Sequence, residues 1–205
     1  METMTLSHAM SISHVMPVLL VLSILVVAQS LERAYAFFVA QRLPTGLWDR
    51  VRSHLEEGDK PGALNACRKA KGTVAQALAK LLSLPQPGTE LIVETFQVYR
   101  QRLHMDLTRR VGLFGTASFI SPLIGLLGTV LGIMRAFHDL AAAGAGGPNV
   151  VAAGISEALI TTAAGIGLAV VSAVCYNYFT MAVRHRMNTV DLWVLELSQL
   201  LGEMK

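Results

Sequence analysis

The chain has 205 residues, 53% hydrophobic and 15% charged, with a formal net charge of +3. This small positive balance does not favour nucleic-acid binding, which needs a clustered basic face with aromatic platforms. The two cysteines, Cys67 and Cys175, cannot build a disulfide framework, and neither has a His or Cys partner at metal-ligand spacing. We therefore expect no metal site and no cofactor.

The apolar residues are concentrated in three blocks, at 15–31, 111–134 and 150–183. About 20 helical residues cross the ~30 Å hydrocarbon core, so the second and third blocks can span a membrane. The first block could instead be a cleaved signal peptide, but residues 1–14 lack the Lys or Arg that such a peptide needs. The sequence therefore predicts an all-α membrane protein with three transmembrane helices.

The basic residues predict how these helices are oriented. Residues 33–110 carry 13 of the 17 Lys and Arg residues, whereas 1–14 and 141–149 carry none. Basic segments stay in the cytoplasm, which places the N-terminus in the periplasm and the C-terminus in the cytoplasm. The predicted segments are a periplasmic N-terminus 1–14, transmembrane helix 15–33, cytoplasmic helical region 34–110, transmembrane helix 111–140, periplasmic turn 141–149, transmembrane helix 150–183 and cytoplasmic helical tail 184–205.

The first part of the cytoplasmic region shows helical patterns separated by breaks. Leu47, Val51 and Leu55 recur at a spacing of four, which is typical of an amphipathic helix. Gly and Pro residues at 56–62 and 84–88 predict two interruptions. Between these interruptions, the apolar residues predict one continuous stripe: Leu64, Cys67, Val74, Leu78 and Leu81.

The second and third spans are expected to extend into the cytoplasm as long helices. Thr89 can cap the helix that precedes the second span, and no stop signal comes before Val111, so this helix should run into the span without interruption. Its apolar stripe consists of Ile92, Phe96, Tyr99, Leu103 and Leu107. The third span should likewise continue through Arg184 into a tail whose apolar residues align: Val190, Val194, Leu197 and Leu201.

Small residues mark one face of the second span. Ser121, Gly125, Gly128 and Gly132 are spaced four, three and four residues apart, and Thr129 lies on the flank of this face. Such a face lets another membrane helix approach closely. Helix packing is therefore expected at Gly125, Gly128 and Gly132.

Glu157 is the only charged residue among the 34 residues of the third block. At 1.5 Å per residue it lies about 10 Å inside the outer end of that block. A sector of about 100° on the helix holds Glu157 together with small, partly hydroxylated residues, whereas Thr162 is about 140° away and should face a different neighbour. The other members of the sector are Thr161, Ala164, Gly165, Leu168 and Ser172.

A carboxylate inside a bilayer is costly and usually marks a proton or ion route. Two structural alternatives are an ion pair, for which Arg135 is the nearest cation in the topology, and a carboxylate at the membrane interface. The small-residue face of the second span and the Glu157 sector of the third could therefore pack tightly, with Gly165 as a further packing residue. Alternatively, they could line a narrow polar passage. An enzyme is not predicted, because the chain has no GxxxxGK[ST] loop and no nucleophile–base pair at recognisable spacing.

Residues 125–137 and 154–165, followed by Tyr176 and Asn177, resemble the MotA/TolQ/ExbB family of proton-channel proteins. Three spans resemble the ExbB/TolQ branch, because MotA-type members are longer and have four. Many members carry a Pro in the third span where this chain has Val171. A Pro would bend the helix there, so no hinge is expected at this position.

The resemblance implies a homopentamer in the bacterial inner membrane, around a single-span partner resembling ExbD or TolR that supplies an intramembrane aspartate. It also implies a stator that uses the proton motive force to energise a TonB-like protein for outer-membrane transport. The family's functional positions correspond to Thr129, Glu157 and Thr162, and Thr161 joins them as a pore-lining candidate because it shares the Glu157 face. Two alternatives stay open: a TolQ-like subunit for envelope integrity and division, and a scaffold that conducts nothing.

Overall fold

The computed structural model describes residues 15–37, 46–84, 89–142 and 148–203. The predicted segment 1–14, the break at 85–88, the centre of the turn at 143–147 and the capping side chain of Thr89 lie outside the described residues. The described residues form helices and contain no β-strand. The helices are α1 (Met16–Tyr35), α2 (Leu47–Glu56), α3 (Lys60–Lys69), α4 (Thr73–Leu82), α5 (Thr89–Thr108), α6 (Gly112–Ala142) and α7 (Pro148–Glu203).

Three helical segments are long and apolar enough to cross a membrane: Met16–Tyr35, Glu90–Ala142 and Val151–Gly202. This confirms the all-α fold with three membrane helices. The helix of the third span runs unbroken to Glu203, so its predicted extension through Arg184 is also confirmed. The exact membrane boundaries within these helices stay a prediction.

The chain divides into two compact units. We call the unit formed by residues 1–32 and 110–178 unit one, and that formed by residues 33–109 and 179–205 unit two. Unit one holds most of α1, all of α6 and the first part of α7. Unit two holds α2 to α5 and the last part of α7.

The predicted uninterrupted helix into the second span is wrong at residues 109–111. α5 ends at Thr108, α6 begins at Gly112, and Arg110 between them has a left-handed backbone with φ of 61°. A non-glycine residue rarely adopts this conformation, so the α-helical hydrogen-bond ladder stops there. The Arg110 side chain lies 3.5 Å from the Glu32 carboxylate of α1, which holds the turn on the first membrane helix within unit one.

The first predicted break in the cytoplasmic region differs from the structure, and the structure has a further break that was not predicted. The first interruption is shorter than expected, because Lys60, Pro61 and Gly62 already belong to α3. Asp59 caps this helix by accepting a hydrogen bond of 2.9 Å from the Gly62 amide. The single stripe from Leu64 to Leu81 is also wrong, since Ala70 is extended and Gly72, at φ of 116°, separates α3 from α4.

Unit two has a core of large apolar side chains. Its buried members include Leu47, Val51 and Leu55 of α2 and Ile92 and Phe96 of α5. The apolar patterns predicted around these residues are therefore confirmed as faces that point into the core. The tail prediction is confirmed as well, because its four aligned residues are buried in the same core: Val190, Val194, Leu197 and Leu201.

Two polar anchors join the tail of α7 to the other helices of unit two. The rings of Trp48 and Trp193 stack with centroids 5.9 Å apart, and the Trp48 indole N–H donates to Glu196 at 2.9 Å. On the other side, the Arg100 guanidinium donates two hydrogen bonds, of 2.8 and 2.9 Å, to the Asp191 carboxylate. These contacts set the position of the tail, whose apolar face supplies one wall of the core.

The two cysteines are separate thiols. Cys67 is buried among apolar side chains of unit two, where burial raises the pKa of its thiol to about 11. Cys175 lies in α7, with its sulfur 3.5 Å from the Ser30 hydroxyl of α1. Among the described residues there is also no group of three His, Cys, Asp or Glu side chains that could hold a metal ion.

Candidate functional site

In unit one, α6 and α7 pack against each other in antiparallel directions through residues with almost no side chain. Ser121 and Gly125 of α6 lie against Gly165 of α7, and Gly132, further along α6, lies against Ala158, which comes earlier in α7. Because a side chain separates packed helices, only small residues permit this approach. The contact continues to Ala136 and Gly154, which the sequence analysis did not single out although the same spacing of three or four residues leads to them.

The glycines of this contact leave no space for a methyl group. A Cβ at Gly165 would lie 2.5 Å from the Ser121 carbonyl oxygen and 3.0 Å from Gly125 Cα. A Cβ at Gly125 would lie 3.0 Å from the Thr161 carbonyl oxygen. Gly128 and Gly132 meet α7 side chains in the same way, with Cβ distances of 2.5 Å to Thr161 Oγ1 and 2.8 Å to the Ala158 Cβ. The structure thus places all four expected packing glycines at the contact between the two helices.

Close approach brings a cluster of hydroxyl and carbonyl groups together on the flank of the contact. The hydroxyls of Thr129 and Thr162 hydrogen-bond to each other across the two helices. The Thr162 hydroxyl lies 3.0 Å from the Gly125 carbonyl oxygen, and the Thr129 hydroxyl lies 3.3 Å from that of Ala158. Each hydroxyl has one proton to donate, so this cluster offers alternative hydrogen-bond arrangements of similar geometry.

The two adjacent threonines of α7 occupy different environments. Thr161 is fully buried, with its hydroxyl donating at 2.7 Å to the Ala158 carbonyl oxygen of its own helix. Thr162 and Thr129 are half-buried. The expectation that Thr162 faces a different neighbour from the Glu157 face is wrong, since Thr161 and Thr162 both reach the Gly125 carbonyl. Without a side chain on Gly125, α7 lies so close that residues on both sides of the contact touch α6.

Glu157 lies one helical turn from this cluster, in an open groove between α6 and α7 of about 470 Å³. The groove is also lined by Arg135 and Asp139 of α6. Its floor is formed by small residues, Gly132 and Gly154 among them. The structure therefore brings a half-buried carboxylate, a cation and a second carboxylate to one recess, of which the sequence analysis missed Asp139.

The sequence of this chain is similar to those of known proteins. A sequence model described as the MotA/TolQ/ExbB proton channel family matches residues 69–191, more than half of the chain. The chain is 34% identical over 146 residues to the biopolymer transport protein ExbB of Salmonella typhimurium, a match covering 64% of this chain and 60% of that protein. It is 44% identical over 78 residues to the Tol-Pal system protein TolQ of Haemophilus influenzae, covering 38% of this chain and 34% of that protein.

A solved structure shares the fold. The structure of C. jejuni MotAB contains a chain that matches 98% of this chain with a TM-score of 0.61, covering 81% of that chain at 17% identity. At that identity the likeness concerns the fold alone. The chain spans about half the length of the curated relatives it matches.

Proposed function

Because the chain belongs to the MotA/TolQ/ExbB proton channel family, we propose that it is a stator subunit that uses the proton motive force. With an ExbD-like single-span partner it would energise a TonB-like protein for outer-membrane transport. The observation that carries this proposal is the hydroxyl and carbonyl cluster of Thr129, Thr162 and Gly125, one turn from the Glu157 groove. The neighbouring carboxylate supports a route for protons, because ionisable side chains within a bilayer usually mark such routes.

We assign distinct roles to the candidate residues. Glu157 shapes the entrance of the path from its groove, and the Thr129 and Thr162 hydroxyls form a polar stretch beside the small-residue contact. Thr161, an initial pore-lining candidate, is better suited to holding the helices together because it is buried and satisfied within them. The chain has no aspartate in its third block, so the proton carrier would be an intramembrane aspartate of the partner.

A homo-oligomer, for which we propose a pentamer, is supported by an exposed stripe on α7. Within unit two, Met181 is 70% exposed, and Leu192 and Leu195 are 57% and 55% exposed. With the exposed His185 and Asn188 they are spaced four, three, four and three residues apart, the repeat by which helices associate. Large apolar side chains at this spacing favour burial against further copies of the same chain.

The chain is a multi-pass protein of the bacterial inner membrane. We further propose that its N-terminus is periplasmic and its C-terminus cytoplasmic. The support is the charge distribution, because 13 of the 17 basic residues lie within residues 33–110. Cysteine labelling of intact cells, at an added N-terminal and an added C-terminal cysteine, tests this orientation directly.

The decisive experiment compares Glu157→Ala and Glu157→Gln in the complex with its single-span partner. Both variants should assemble normally, and both should lose proton uptake in reconstituted vesicles, because neither side chain carries an ionisable carboxyl group. Ser156→Ala, on the adjacent exposed residue, is the matched control and should leave uptake unchanged. Full proton uptake by an assembled Glu157→Ala complex contradicts the proposed role of Glu157.

The same assay tests the proposed function as a whole. Wild-type complex should take up protons, and replacement of the partner's intramembrane aspartate should stop uptake. If the wild-type complex assembles with its partner but never conducts, the chain is a passive scaffold and the stator proposal is wrong.

A TolQ-like role in envelope integrity and division is the second candidate, favoured by the 44% identity to the Haemophilus influenzae TolQ over 78 residues. Co-purification separates the two roles. A TonB-like protein recovered with the complex supports the transport role, and a Tol-type protein supports the envelope role.

A further inference from the structure

A groove on unit two is lined by three cations and by no carboxylate. Arg68 lies near the end of α3, Lys71 in the connection after it, and Lys80 in α4. The groove has a volume of about 530 Å³, which is within the range of small-molecule sites. All three side chains are exposed, and none of them takes part in the ion pairs formed by the described residues. Their charges therefore add to a local positive potential, and no acid among the lining residues offsets it.

The beginning of α4 adds a second, independent source of positive charge. Gly72, which also lines the groove, is the N-cap of this ten-residue helix, and no side chain accepts a hydrogen bond from its first turn. The first N–H groups of a helix have no intrahelical acceptor, and the helix dipole makes this end attractive to anions. A glycine at this position also leaves space for a ligand to approach the backbone.

Neutral donors complete the lining. Gln76 and Tyr99 line the groove, and the hydrogen bonds of the described residues involve neither the Gln76 amide nor the Tyr99 hydroxyl. Ser83, by contrast, donates its hydroxyl to the Lys80 carbonyl oxygen at 2.7 Å, so it can offer a ligand only an acceptor. The groove thus combines three point charges with the neutral donors of Gln76 and Tyr99, and it lies beside a helix N-terminus. Proteins use such groups to hold phosphate oxygens.

We propose that this groove binds a phosphate-bearing ligand, whose phosphate lies among Arg68, Lys71 and Lys80 at the start of α4. The groove is larger than a single phosphate, so the ligand carries an organic part or a second phosphate. A free phosphorylated compound and an anionic phospholipid headgroup share this chemistry. The site is separate from the proposed proton path, since every lining residue belongs to unit two.

The test titrates the purified full-length protein in detergent with pyrophosphate at low ionic strength and measures heat of binding. Arg68→Gln/Lys80→Gln should weaken pyrophosphate binding by at least about tenfold, because the variant removes two of the three charges that would hold the phosphate. The matched control is Arg50→Gln/Arg102→Gln, which removes the same charge from two exposed positions of unit two outside the groove. It should change the affinity less than about twofold, since distant exposed charges are screened.

A second arm identifies the source of the phosphate. The same variants are titrated with short-chain phosphatidylglycerol, with phosphatidylcholine as the zwitterionic reference. If pyrophosphate binds and only the groove variant loses this binding, the ligand is a free phosphorylated compound. If only phosphatidylglycerol binds and only the groove variant loses this binding, the ligand is a lipid headgroup.

Three outcomes would overturn the proposal. The first is that neither probe binds the wild-type protein. The second is that the control variant loses as much affinity as the groove variant, which would make the attraction a general effect of net charge. The third is that a polyglutamate peptide competes for the groove more strongly than either phosphate probe. That result replaces the phosphate ligand with an acidic protein segment.

Discussion

The two units of this protein make their main helix contacts with different kinds of side chain. In unit one, the helix contact is made by Gly125, Gly165 and other small residues, while Leu126 and Val170 are exposed at 56% and 59%. In unit two, Leu78 and Leu197 are fully buried, and cations such as Arg68 lie on the outside.

The difference follows from the solvent that each unit requires. Water drives large apolar side chains into a common core, so unit two is held together by burial. Lipid tails are as apolar as leucine and provide no such force between helices, which associate through close packing and hydrogen bonds. Close packing also brings backbone carbonyls within reach of threonine hydroxyls, so the contact that stabilises unit one also builds its polar cluster.

The largest expected effect is a cavity in unit two. Leu78→Ala should lower the free energy of unfolding by about 2–5 kcal/mol, because it removes buried methyl groups from a packed core. Thermal unfolding followed by the fluorescence of Trp48 and Trp193, the two tryptophans of the chain, measures the loss. Val98→Ala, at a side chain 55% exposed, is the control. Equal effects of the two variants would contradict a core built on burial.

An added methyl group tests unit one in the opposite direction. Gly165→Ala should cost about 1–3 kcal/mol, because its Cβ would meet the Ser121 carbonyl oxygen at 2.5 Å. Gly167→Ala, two residues away on the same helix, has nothing within 4 Å and should be neutral or slightly stabilising. Thermal denaturation of the full chain in detergent compares the two variants. If Gly165→Ala melts no lower than Gly167→Ala, the close contact of α6 and α7 is wrong.

The tail anchor of unit two should contribute less. Asp191→Ala removes the acceptor of both Arg100 hydrogen bonds, and since both side chains are partly exposed we expect a loss of about 1 kcal/mol or less. The matched control is Asp106→Ala, at an exposed aspartate of α5 that forms no ion pair among the described residues. Urea titration of both variants measures the change in the free energy of unfolding. If Asp191→Ala loses no more stability than Asp106→Ala, the contact between Arg100 and Asp191 does not stabilise unit two.

The smallest effect on stability is expected at the threonine cluster. Thr162→Val should cost only about 0.6 kcal/mol, the average for a hydrogen bond between membrane helices. Proton uptake by the reconstituted complex should nevertheless fall, and Thr162→Ser, which retains the hydroxyl, should restore it. A Thr162→Val complex that conducts normally would make the cluster a packing feature alone.

Several features could be read from the residues because they depend on local patterns. The repeat of apolar residues at 47, 51 and 55 predicts an inward helix face, and the composition of the three blocks predicts membrane helices. The spacing of Ser121, Gly125, Gly128 and Gly132 predicts a packing face, and in the structure these residues lie against α7. The interruptions were less predictable, because the left-handed backbone of Arg110 has no sequence signal comparable to Gly72.

The sequence by itself determined the all-helical class, the three spans, the small-residue face and the isolated charge of Glu157, since periodicity and composition require no knowledge of neighbours. The tertiary structure alone decided which threonines meet. The distance between α6 and α7, set by the absence of side chains at Gly125 and Gly165, buries Thr161 and joins Thr162 to Thr129. It likewise decided that Arg68, Lys71 and Lys80 line one groove, because residues on different segments become neighbours only when the chain is folded.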